Sequence, residues 1–343
     1  MVSLLRKSAT SIFFYSLLLI ITTYFFNMSF RNKLSGLFDK AEQAINQHAP
    51  QVPLHSKPHS PAVPTNSKPP PGYPGHPQKQ EPGGTAYWQP TFDPAEPVST
   101  HFRHEEGQHG WGNNEAQNYG SSSQNSFHAP DNALILRALI NSSHPDQGQK
   151  YTSARLTSHQ TLARPRGCLS ATITAPVAQG IWPAFWLLPH DPFTWPNDGE
   201  IDIFEAWDGD TINHSCLHWG FFDGNDWNKH RVLETPIPRI SSSEGVRFDF
   251  AWEEDEGTGQ GRMVWYIDGR PIMKAEKPVG TRRLKEFRIL INVAVGGNVC
   301  KGHMPTDGMY EMRVRDLTMW EAPPRGWEGF ERAYREAKAG HPM

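Results

Sequence analysis

The 343-residue sequence predicts an all-β folded domain carried behind one apolar helix and a proline-rich stalk. Three observations carry this. Segments rich in β-branched and aromatic residues, such as Phe248–Trp252 and Met263–Ile267, are punctuated by turn signals, Asp268-Gly269 among them. Residues 9–28 form a 20-residue run without a charge. Between residues 50 and 97 lie 14 of the chain's 30 prolines, a composition that cannot bury a core and favours extended backbone.

The uncharged run follows Arg6 and Lys7 and is long enough to span a bilayer as a helix, which needs about 20 residues. Asn27-Met28-Ser29-Phe30-Arg31 contains no small-residue cleavage pattern, so an uncleaved signal anchor is expected, a cleaved secretory peptide being the alternative. Arg31 and Lys33 blur the charge asymmetry across the span, and the orientation rests on the folded domain lying outside. The expected organisation is a cytosolic tail (1–8), a membrane span (9–28), a stalk (29–86), a β domain (87–322) and a C-terminal tail with a short helix (323–343). That makes a single-pass type II membrane protein with an extracellular or lumenal domain, or a secreted one if the span is cut. A net charge of −3 argues against a broad nucleic-acid footprint. Three cysteines, Cys168, Cys216 and Cys300, allow one disulfide and one thiol, which the sequence does not pair.

The chemistry is concentrated in Gly199-Glu200-Ile201-Asp202-Ile203-Phe204-Glu205-Ala206-Trp207. Ile201, Ile203 and Phe204 need a core, and carboxylates among them are costly unless hydrogen-bonded, paired or used. Strand alternation places Glu200, Asp202 and Phe204 on one face and sends Glu205 to the other. One extra residue, a β-bulge around Ile203-Phe204, brings Glu205 back, so that three acids share a face with Asp202 between two glutamates. The spacing suits glycoside hydrolysis, in which a retaining enzyme holds two carboxyl groups about 5–5.5 Å apart. Crowding also separates carboxyl pKa values. A solvated strand face with scattered acids is the plain alternative.

Gly-Glu-Ile-Asp-Ile-Phe-Glu, preceded by Gly180-Ile181-Trp182-Pro183-Ala184-Phe185-Trp186, resembles glycoside hydrolase family 16, in its fungal-type laminarinase-like (endo-β-1,3-glucanase) branch. The resemblance runs from about Trp111 to Trp320. It implies an antiparallel β-sandwich of concanavalin A-like jelly-roll type. It also implies retaining cleavage of β-1,3 or mixed β-1,3/1,4 glucans without an organic cofactor, by a monomer whose partners are the polysaccharide and, through its N-terminal helix, the membrane. Carried over by position, Glu200 is the nucleophile, Glu205 the acid/base, and Asp202 orients and tunes Glu200. A cell-wall transglycosylase and a non-catalytic glucan-binding module share this outline.

The remaining elements follow in order. Trp111–Tyr119 resembles the family's early segment, where an Asn reaches the cleft; Asn114 is preferred to Asn113, although Gly-Asn-Asn also reads as a plain turn. Ala133–Ile140 is helix or strand by periodicity and strand by the family pattern. In Arg166–Thr172 the family's usual Glu is Ser170, which leaves one supporting interaction in doubt. Trp182, Ala184 and Trp186 share a strand face. Trp186 and Trp195 fall where the family stacks sugars, core packing being the bland reading of either. His218 falls where relatives place a His beside the acid/base, implying a contact to Glu205 or a sugar hydroxyl. Asn292 is expected to face the cleft or to satisfy a neighbouring strand, the structural reading being preferred. Relatives carry a calcium-holding Asp where this chain has Arg315, a cation, so no metal is expected there. Residues 327–338 have the pattern of an amphipathic helix, and Asn141 and Asn213 are sequons expected in loops.

Overall fold

A computed structural model describes residues 82–221 and 226–343. The expected membrane span and nearly all of the stalk lie outside the described residues. Among the described residues, no helix is long and apolar enough to cross a membrane.

Alternating side chains build two sheets packed face to face, antiparallel except for two short parallel pairings in the larger one. In Val246–Glu254, Val246, Phe248, Phe250 and Trp252 enter the shared core. The intervening Arg247 and Asp249 face the other way as a buried ion pair, Nε to Oδ2 3.2 Å. In Ile181–Pro189 the odd-numbered Ile181, Phe185 and Leu187 are core, leaving Trp182, Ala184 and Trp186 on the opposite face. The expected pairing of Phe248–Trp252 with Met263–Ile267 is present. Asp268 and Gly269, both at positive φ, close the two-residue turn between Ile267 and Arg270. That geometry is what the Asp-Gly pair supplies to a hairpin. Ala133–Ile140 is a strand.

Among the described residues, one sheet has eleven strands and the other eight. The smaller sheet carries the site. Its central neighbours run Arg231–Pro236, Ile212–His218, Glu200–Glu205, Ile181–Pro189 and Phe287–Val295. The helix Gly326–Glu336 covers the outer face of the larger sheet, seating Phe330 and Ala333 against Cys168, Ala251 and Val264. It stops two residues short of the expected end. The chain then adds short strands, Lys338–Ala339 beside Arg270–Glu276 and His341–Pro342 beside Arg231–Pro236.

Both departures from the family pattern have local explanations. Ser170 lies opposite Asp249 on the larger sheet, away from the cleft, and its hydroxyl donates to that carboxylate. A small side chain there leaves room for the Arg247–Asp249 pair. Arg315 donates from one guanidinium nitrogen to the carbonyls of Ser243 and Glu244, both at 2.9 Å. Carbonyl oxygens are also what a hard cation would take as ligands, and here the guanidinium meets them. The three cysteines are buried, free thiols, so no disulfide forms among them.

Candidate active site

The strand Glu200–Glu205 contains the bulge. Asp202 pairs with Trp186 and Phe204 with Phe185, so Ile203 is the extra residue against the neighbouring strand. Ile201, Ile203 and Phe204 consequently all enter the core, and Phe204 packs on Phe248 with ring centroids 4.9 Å apart. Glu200, Asp202 and Glu205 turn together into a cleft of about 390 Å³ on the outer face of the smaller sheet.

Asn213, on the next strand, clamps the bulge from the side. Its Oδ1 accepts from the Glu205 backbone N–H at 3.1 Å, and its Nδ2 donates to the Ile203 carbonyl at 3.2 Å. A bulge frees backbone groups from the ladder, and a buried amide side chain offers one acceptor and two donors to meet them. Asn213 is fully buried. The expectation of a loop sequon there is overturned, because a side chain so enclosed is closed to glycan transfer. Asn141 is exposed.

Each glutamate is held by an indole. Trp195 donates to Glu200 Oε2 at 2.8 Å, and Trp182 donates to Glu205 Oε1 at 2.9 Å. Burial and then the adjacent Asp202 charge raise the Glu200 pKa to about 7, while His218 and the Trp195 N–H pull it down. Glu205 lacks that cationic neighbour. Burial, Asp202 and Glu200 together push it well above the usual carboxylate range, with Trp182 opposing. The environments differ in the direction that separates an ionised carboxylate from a protonated one.

His218 sits directly opposite Glu200 in the strand register. Its Nε2 lies 3.3 Å from Asp202 Oδ2 and 3.9 Å from Glu200 Oε1. Its neighbours are therefore Asp202 and Glu200, and the expected position beside Glu205 is corrected: Glu200, at the start of its strand, pairs with the end of the next one. Burial works against a charge on His218, yet the hydrogen bond and charge of Asp202, with Glu200 behind it, raise its pKa overall. Its Nδ1 meets His230 Nδ1 at 3.0 Å.

Trp195 is 48% exposed at the cleft and lies outside the core cluster. Trp186 is half-buried, lines the cleft, donates to Asn292 Oδ1 at 2.7 Å and lies under the Arg155 guanidinium. Asn292 both faces the cleft and supports Trp186. Asn113 lines the cleft, whereas Asn114 does not: it sits at positive φ in an exposed turn and donates to Asn298 Oδ1 at 2.9 Å. The sequence preference between the two is reversed because the turn, and not the motif, aims the side chains. Trp182, Asn213, His230, Arg155 and Glu115 were not predicted as site residues. Trp182 had a signal, its shared face with Trp186. The others come together only through register.

Three acids share one face of a β-sandwich cleft, and two of them are capped by indoles, an arrangement that can supply the paired carboxyl groups of glycoside hydrolysis. Residues 100–233 match the family model described as "XgeA-like, catalytic GH16 domain". Residues 100–233 are thus similar to a glycoside hydrolase family 16 catalytic domain, and endo-1,3-β-glucanases and laminarinases are among the proteins the chain resembles. It is 26% identical over 248 residues to glucan endo-1,3-beta-glucosidase A1 of Niallia circulans, covering 65% of this chain and 35% of that protein. It is 39% identical over 175 residues to the beta-1,3-glucan-binding protein of Penaeus monodon, covering 43% of this chain and 47% of that one. The chain therefore spans about a third to a half of the length of these relatives. Among solved structures it superposes on the catalytic domain of a laminarinase from Thermotoga petrophila with a TM-score of 0.57 and 25% identity, covering 70% of this chain and 99% of that one.

Proposed function

We propose that the protein is a retaining endo-glucanase cleaving internal β-1,3, or mixed β-1,3/1,4, linkages of a β-glucan. The bulge that returns Glu205 to the face of Glu200 and Asp202 carries this reading. Glu200 attacks the anomeric carbon while Glu205 protonates the leaving oxygen, forming a covalent glycosyl-enzyme. Glu205 then takes a proton from water, which displaces Glu200. The raised proton affinity of Glu205 suits the acid's role, and the His218 contact and Trp195 N–H suit a carboxylate that must ionise. Asp202, between them, orients His218 against Glu200. Trp195, Trp186 and Asn113 offer a sugar-binding wall, and no organic cofactor is required. The polypeptide acts as a monomer, anchored by residues 9–28 with its domain outside the cytosol; extraction of the full-length chain by alkaline carbonate, which leaves spanning proteins in the membrane, would refute the anchor.

A binding role is the second reading, favoured by the likeness to a glucan-binding protein. The deciding experiment is reducing-sugar release and product sizing on laminarin and mixed-linkage glucan, with the intact chain beside Glu200→Gln. Shortened oligosaccharides from the parent alone support hydrolysis, and products longer than the substrate support transfer to sugar hydroxyls. Equal inertness of both, with glucan retained on a pull-down, replaces the enzyme with the binding module.

A further inference from the structure

Beside the glutamates, the cleft floor adds to Asp202 and His218 a thiol, Cys216, to which the hydrolytic mechanism gives no role. Cys216 lies directly opposite Asp202 in the strand pairing, and His218 is two residues further along the same strand. Residues two apart on a strand share a face, so the thiol and the imidazole flank the carboxylate. One ligand atom from each, Asp202, Cys216 Sγ and His218, lies within 4.8 Å of the others. Ligand atoms in a tetrahedral zinc shell with bonds of about 2.0–2.3 Å sit about 3.3–3.8 Å apart. Small rotamer changes close that gap.

Three further observations point to a cation. Asp202 is 1% exposed, and its Oδ2 faces His218 Nε2 at 3.3 Å, so a buried carboxylate and an imidazole converge beside the thiol. The far nitrogen of His218 meets His230 at 3.0 Å, the outer contact that fixes an imidazole's tautomer and orientation in metal sites. Glu200 Oε1, 3.9 Å from His218 Nε2, is in reach of a fourth position. Asp, Cys and His together form a mixed O, S and N set that suits borderline-soft ions and suits calcium or magnesium poorly.

We propose that Asp202, Cys216 and His218 form an inhibitory site for a thiophilic divalent cation of the zinc class, closed over the catalytic carboxylates. On binding, the Cys216 thiol gives its proton to solvent and loses its weak contact to the His214 carbonyl, 3.7 Å away. The ion occupies Asp202 and draws in Glu200, so sugar and metal compete for the same face. Inhibition rests on the hydrolase reading; metal binding does not.

The test is therefore split. The intact protein is titrated with Co²⁺, read by thiolate-to-cobalt charge-transfer absorption, and Zn²⁺ is then used to displace it. One equivalent with a thiolate band, absent in Cys216→Ala and in the closer isostere Cys216→Ser, is expected. His230→Ala should weaken the cobalt affinity by about 10–100-fold, as loss of an outer partner does. In laminarin assays, zinc inhibition reversed by a chelator should be at least about tenfold weaker in either Cys216 variant, each measured against its own zinc-free rate, and calcium should not inhibit. A cobalt spectrum without a thiolate band, or one unchanged in both Cys216 variants, overturns the site. Hydrolysis by the parent with equal zinc sensitivity in the variants overturns the inhibition. Absence of hydrolysis in every sample counts against the hydrolase reading alone, and the cobalt titration still decides the site.

Discussion

Glu200 and Glu205 are five residues apart and chemically alike, and their neighbours differentiate them. One faces His218 and an exposed indole; the other faces carboxylates and the Trp182 N–H. If Glu205 is the acid, Glu205→Gln should lower hydrolysis of laminarin by about 10²–10⁴-fold. The loss should shrink sharply on an aryl β-glucoside whose leaving group needs no proton. A uniform loss on both substrates would refute the assignment. Trp195 combines two jobs that substitution can separate. Trp195→Phe keeps an aromatic face but removes the N–H bond to Glu200, so kcat should fall with KM nearly unchanged. Trp195→Ala should also raise KM. Equal effects of both variants on KM would show that the ring does not bind sugar.

The bulge is the feature of this element on which the site depends. Asn213 meets both backbone groups that the bulge releases. In Asn213→Ala these groups lose their partners in a buried setting, at about 1–3 kcal/mol. Thermal melting should show a lower midpoint, by about 2–4 °C for each kcal/mol in a domain of this size, and hydrolysis should fall although no acid has been changed. A variant with wild-type melting and activity would mean that the bulge holds without its clamp. The need for a bulge is legible in the strand itself, because Ile203 and Phe204 both demand the core while Glu205 resists it. The clamp is not legible: within Asn-His-Ser, Asn213 reads as a sequon until the neighbouring strand is in place.

At the scale of the molecule, sheet edges and outer faces are closed by contacts between distant segments. Arg315 ties the long strand Gly308–Pro324 to the loop at Ser243 and Glu244. Arg315→Ala should destabilise the domain by about 0.5–1.5 kcal/mol, typical of such hydrogen bonds. Calcium should leave the melting temperature of the parent unchanged. A clear rise with calcium in the parent would show a cation site beside the guanidinium. The helix Gly326–Glu336 seals Cys168 against the outer sheet, and the opposite sheet leaves its face open as the cleft.

The sequence by itself determined the strand class, the acidic strand with its crowded carboxylates, and the likeness to laminarinases. These depend on local alternation and on residue types within a few positions of one another. The tertiary structure decided the rest. It placed His218 beside Asp202 and Glu200, chose Asn113 over Asn114 for the cleft, enclosed Asn213, and set Cys216 opposite Asp202. Each of these depends on register between strands or on the φ of one turn residue. A shift of one residue in pairing would turn every side chain to the opposite face, and no local pattern specifies that choice.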